Sequence, residues 1–214
     1  MRQILQVAAA ALLLTSGAAS ARDQQYIHKL TNPDQFYQIS YNNPYECDSR
    51  TIQGAQIWND TGSNFATFHG SLDGVYFFDG NIVKGRAGTQ IAFEPVGNMV
   101  NGATAVAEHV PGSTAGTTTV DGWYIYNRTD ADIRVNQDKW AAGRFYCDQT
   151  ATIGNQLYFD RVIAHEMGHV VGLDDRSAGT DCLMYYALAE KAALKPACTA
   201  EAGLPIRLYG AYQP

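Results

Sequence analysis

The run His165-Glu166-Met167-Gly168-His169 carries the clearest chemistry in the chain. Two histidines four positions apart fall on one face of a helix, one turn above the other. Both imidazoles can therefore reach a single cation. Glu166, directly after the first histidine, stands beside that cation without binding it. A carboxylate in that place takes a proton from a metal-activated water, which is the chemistry of hydrolysis at neutral pH. Gly172 follows three positions after His169. Glycine adopts the left-handed conformation that ends helices, so the chain can turn back and offer a third ligand from below. Asp174 and Asp175 can both serve, and Asp175 gives the spacing HExxHxxGxxD.

These residues need a buried helix to hold them. Val162, Ile163, Met167, Val170 and Val171 recur at the spacings such a helix uses. Ahead of it the chain reads mostly as strands. Tyr37, Ile39 and Tyr41 alternate with Gln38 and Ser40 in a half-buried period-two pattern. Asp48 is placed to cap a helix running through Ile52, Ala55 and Trp58. Short strands are expected at Asn64 to Phe68, Gly74 to Phe78 and Gln90 to Phe93. Pro111 to Thr119, rich in Gly, Ser and Thr, reads as a loop. Three more strands follow at Gly122 to Tyr126, Ala131 to Val135 and Arg144 to Cys147. No repeat or linker interrupts the pattern, and one α+β domain is the economical arrangement.

The 214 residues suffice for one domain with a real core, and a charged fraction of 17% is that of a globular chain. A net charge of −6 gives no electrostatic case for nucleic acid. Arg2, the apolar run Ile4 to Leu14 and Ala19-Ser20-Ala21 follow the order of a secretory signal. We expect residues 1–21 to be removed and residues 22–214 to form the mature chain, without a membrane span. The four cysteines agree with export and permit three disulfide pairings. We favour Cys182–Cys198, closing a short loop, and Cys47–Cys147, closing a long one.

The segment Ala164 to Asp175, AHEMGHVVGLDD, resembles the zinc-binding signature of the metzincin metallopeptidases. Most of that group carry histidine where this chain has Asp175. The snapalysins carry aspartate there, and this sequence is most similar to them. Cys182-Leu183-Met184 resembles the approach to the Met-turn, and Cys182 and Cys198 fall where the snapalysin disulfide lies. Gly54 to Asn59 resembles that family's first helix, and Ala131 to Val135 a central strand of metzincins. The segment from about Gly70 to Gly122 is longer than the resemblance leads one to expect.

The resemblance implies a twisted mixed β-sheet, an active-site helix and a C-terminal subdomain after the Gly172 turn. It implies one catalytic zinc ion held by His165, His169 and Asp175, with Glu166 as general base and Met184 as the Met-turn residue. Tyr186, two positions after Met184, matches a tyrosine that approaches the metal in astacin-like and serralysin-like members. The implied activity is secreted, zinc-dependent endopeptidase action by a monomer on protein or peptide substrates. Such a substrate would lie extended along a strand edge, for which Arg144 to Cys147 is the candidate.

Two alternatives remain. Gly179-Thr180-Asp181 faintly echoes the aspzincins, with Asp181 as a rival third ligand. A secreted binding protein that keeps the motif without hydrolysis is the other. Asn59 and Asn127 head glycosylation sequons. Asp121, Asp130 and Asp132 offer oxygens for calcium, though in no recognised loop.

Overall fold

Eleven strands and five α-helices form among the described residues, in the α+β order expected. The computed structural model describes residues 25–40, 42–70, 77–78, 82, 88–94, 103, 105–109, 114–148, 154–177, 179, 181–187 and 193–213. The signal-peptide expectation, most of Gly74 to Phe78, the start of Pro111 to Thr119, and Thr180 lie outside these residues. Among them, no helix is long and apolar enough to cross a membrane.

The main sheet is twisted and mixed. Its order is β3 (Ala66–His69), β2 (Asp34–Ser40), β5 (Thr89–Glu94), β9 (Ala131–Asn136) and β6 (Ala105–His109), with β4 (Phe77–Phe78) also pairing β2. The pairings are parallel except that of β6, which runs antiparallel to β9 and is the last strand of the sheet among the described residues. β5 is buried along its whole length, so it cannot show a polar-out pattern. Register puts Tyr37, Ile39, Ile91, Phe93, Ile133 and Val135 on one face. The ring of Phe93 stacks there on Phe159, the first residue of the long helix, with centroids 5.5 Å apart. The opposite face presents the polar Gln38, Gln90, Asp132 and Arg134, with Ala92 beside Arg134.

A second sheet joins β1 (His28–Leu30), β8 (Trp123–Arg128) and β7 (Thr114–Val120). β7 corrects the loop expected at Pro111 to Thr119. Thr117, Thr118 and Thr119 are β-branched and pair antiparallel with β8, and a register shift before Thr117 accommodates Gly116 at φ 106°. The strand expected at Arg144 to Cys147 shrinks to β10 (Phe145–Tyr146). It pairs with β11 (Leu157–Tyr158), outside the main sheet.

Two helices pack face to face beneath the sheet, α1 (Tyr45–Gln56) and α3 (Phe159–Val171). α1 starts after Pro44, so Asp48 lies in its first turn and accepts from Asn43 Nδ2 at 2.7 Å; it is not the N-cap. Gly54 lets the helices touch, because a Cβ there would run into the Asp160 carbonyl and come 2.8 Å from Ile163 Cβ. The short α2 (Gln137–Ala141) is capped by the Asn136 side chain, which accepts from the Asp138 and Lys139 amides. Beyond α3 the chain forms α4 (Thr199–Ala202) and α5 (Leu204–Tyr209), whose Leu204 and Leu208 enter the core. Both favoured disulfides are present. Cys47–Cys147 ties α1 to the end of β10, and Cys182–Cys198 closes the loop ahead of α4.

Candidate metal centre

α3 sets His165 and His169 one turn apart, their ring centroids 4.9 Å from each other. Each ring is fixed by a carbonyl. His165 Nδ1 lies 2.7 Å from the Leu183 oxygen, and His169 Nδ1 lies 2.9 Å from that of Leu173. A carbonyl can only accept, so both imidazoles carry their proton on Nδ1. Both Nε2 lone pairs are left to point at a common place.

Asp175 arrives there from the turn after α3. Gly172 ends the helix at φ 110°, and its amide donates to the Gly168 and His169 carbonyls. A Cβ at this position would strike the His28 carbonyl, so glycine is required by space as well as by backbone conformation. The N-terminal segment then straps the turn. Tyr26 bridges Leu173, Ile27 donates to the Gly172 carbonyl at 2.8 Å, and Asp174 donates to that of Gln25 at 3.1 Å. Asp175 Oδ1 comes to rest 3.3 Å from His165 Nε2 and 3.6 Å from His169 Nε2. The three ligand atoms all lie within 4.8 Å of one another. Of the two aspartates left open by spacing, Asp175 is the one brought in.

The donor set fits zinc. Ligands about 2.0–2.1 Å from a tetrahedral ion stand roughly 3.3–3.4 Å apart, close to the separations of Asp175 from both rings. The charges agree. Burial opposes a positive His165, but the Asp175 hydrogen bond, the Glu166 charge and the Leu183 carbonyl outweigh it, and its pKa stands above the usual value. Asp175 is held below the usual carboxylate range by the His165 hydrogen bond, against its partial burial, with His169 assisting. The cluster thus favours a positive charge at its centre.

Met184 is fully buried and packs against Gly168 of α3. A Cβ on Gly168 would overlap Met184 Sδ and come 2.8 Å from Trp58 Cζ2, so glycine between the two histidines admits both side chains. Trp58 Nε1 also donates to the Ala164 carbonyl at 2.8 Å. Glu166 is 6% exposed on the same helix. Tyr186 follows the Met184 turn, and its amide donates to the Arg176 carbonyl, next to Asp175, at 3.2 Å. It is 63% exposed, and its ring lies 4.8 Å from that of Tyr185. Asp181, the rival ligand, pairs with Lys195 at 3.2 Å on the surface. Among the described residues, Asp121, Asp130 and Asp132 belong to no group placed to share an ion. Asp121 is engaged by Arg207 and Tyr26.

Sequence reasoning missed Glu201. It is fully buried, and its carboxylate accepts the Met184 amide at 2.8 Å and the Leu183 amide at 3.0 Å. The local signal was Cys198-x-x-Glu201, the spacing of an N-cap and N3 pair, which forms here as a capping box. Compared with known proteins, the chain matches no family model and no curated sequence.

Proposed function

We propose that this chain is a secreted zinc-dependent endopeptidase of metzincin type, most similar to the snapalysins. One observation carries the reading: two imidazoles with occupied Nδ1 atoms turn their Nε2 atoms onto Asp175 at separations a tetrahedral ion requires. The antiparallel strand β6, terminal in the main sheet among the described residues, and the buried Met184 against Gly168 support it further. Two disulfides suit an oxidising compartment.

His165, His169 and Asp175 would hold the ion. Zinc bound there supplies a charge that polarises a scissile carbonyl and acidifies a water. The Leu183 and Leu173 carbonyls hold both imidazoles aligned, with the proton on Nδ1 and Nε2 turned to the site. Glu166 takes the proton from the attacking water and returns it to the leaving amine. An extended peptide would lie along β6, the terminal strand of the main sheet among the described residues. β6 is preferred here to Arg144 to Cys147, because β10 stands outside the main sheet.

The test is hydrolysis of unfolded casein by the mature chain, with and without a zinc chelator, beside Glu166→Ala at matched zinc content. We expect chelator-sensitive hydrolysis that falls about 10²–10⁴-fold in the variant. Equal hydrolysis by both proteins would remove Glu166 from the mechanism. Stoichiometric zinc in both without hydrolysis would favour the binding-protein alternative.

A further inference from the structure

The described residues between Asp181 and α4 form no regular helix or strand, yet one of their carbonyls aims a metal ligand. Irregular backbone must find its hydrogen-bond partners elsewhere, and this stretch finds them in Glu201. The peptide plane between Leu183 and Met184 is the critical one. Its carbonyl lies 2.7 Å from His165 Nδ1, and its amide donates to Glu201 Oε1 at 2.8 Å. The preceding amide, that of Leu183, donates to Oε2 at 3.0 Å. A peptide plane is rigid, so the carboxylate at one end fixes the direction of the carbonyl at the other. The next carbonyl, that of Met184, accepts the Arg176 amide at 2.7 Å, directly beside Asp175. One buried carboxylate therefore holds the segment that touches two of the three ligand-bearing positions.

We propose that Glu201 is a positioning residue of the metal centre, acting through the Leu183–Met184 peptide on His165 and through Met184 on the Asp175 segment. This role rests on the zinc reading of His165, His169 and Asp175. Other restraints act on the same turn. Arg161 donates to the Cys182 carbonyl at 3.4 Å, and the Cys182–Cys198 disulfide ties the turn to the start of α4. Neither restraint bonds to the Leu183–Met184 plane, whose amide is held directly by Glu201. Outer-shell partners of metal-bound histidine are worth about 10–100-fold in metal affinity, because they fix ring direction and ligand basicity.

Glu201→Gln tests this in the full mature chain. Glutamine keeps the shape, but the carboxylate accepts from three backbone N–H groups, those of Leu183, Met184 and Cys198, and the amide NH₂ faces at least one of them and cannot accept from it. Zinc affinity, measured by competition with a chromophoric chelator on folded protein, should fall about 10–100-fold. The visible spectrum of the cobalt-substituted protein should change with it. Thr51→Ala, which removes a buried hydroxyl bonded to the Cys47 carbonyl in α1, is the control for stability loss alone and should keep the parent affinity. Should Glu201→Gln not fold, Glu201→Asp reads the same clamp, since the shorter side chain cannot span both amides. Parent-like zinc affinity in the folded variant would overturn the role of Glu201 and leave the zinc reading standing. A parent chain that binds no zinc would overturn both.

Discussion

In the zinc centre proposed above, Asp175 would be the third ligand. Two neutral imidazoles and one carboxylate would offset one of the two charges on zinc, so the ion would acidify a water less than it would with three histidines. Asp175→His should therefore keep zinc and some hydrolysis. Asp175→Ala should lose more affinity than the about 10–100-fold that a missing outer-shell partner costs, read by chelator competition. Zinc binding by Asp175→Ala equal to the parent would remove the residue from the centre. His165, Glu166, His169 and Asp175 were legible because their relation is local: a helix and one glycine turn convert spacing directly into position. Leu173, Leu183 and Glu201 were not. The first two act through carbonyls that every residue possesses, and Glu201 reaches the turn only because the Cys182–Cys198 loop folds back. Tyr186, visible by its place two residues after Met184, joins the Asp175 segment through its amide on the Arg176 carbonyl, with its exposed ring against Tyr185.

At the scale of elements, the centre depends on how closely α3 is approached from both sides. Gly54 brings α1 against it, Gly168 admits Met184 and Trp58, and Gly172 admits the β1 backbone. At Gly54 the clash is with backbone, which cannot rotate away. Gly54→Ala should thus destabilise the fold by about 1–3 kcal/mol, the usual cost of overpacking, as measured by denaturant unfolding. An unchanged unfolding midpoint would mean that the two helices part without cost. The helices were readable because their apolar stripes are long. Strands were harder. β7 hid behind a composition of Gly, Ser and Thr that suits turns equally well, and only its pairing with β8 makes the threonines a strand. α4 and α5 are too short to show a period. The main sheet's order was beyond the sequence altogether, since β6 joins its edge by pairing with β9, later in the chain.

Across the whole molecule, the main sheet departs from the usual rule that strands of parallel sheets are apolar on both faces. The face away from α3 carries a polar layer. Within it Asp132, 1% exposed, accepts the Gln90 amide at 2.9 Å, while Arg134 lies 3.5 Å from Glu94. Burial first, and the neighbouring Asp130 charge second, push the Asp132 pKa from 3.8 up to about 8, against the opposing pull of Gln90 and Arg134. The folded chain keeps this proton where the unfolded chain has lost it. A group whose pKa is raised by folding contributes stability that is complete below its unfolded value and is lost as pH rises through its folded value. Stability should accordingly decline from about pH 4 to about pH 8 and then level, as far as this residue governs it. An asparagine side chain in place of Asp132 would accept the same bond from Gln90 and would not titrate. Asp132→Asn should therefore flatten the decline in melting temperature between about pH 5 and about pH 8 and leave the protein more stable than the parent at the upper end of that range. Identical slopes for the two proteins would show that the layer holds Asp132 ionised, with Arg134 and Gln90 outweighing its burial.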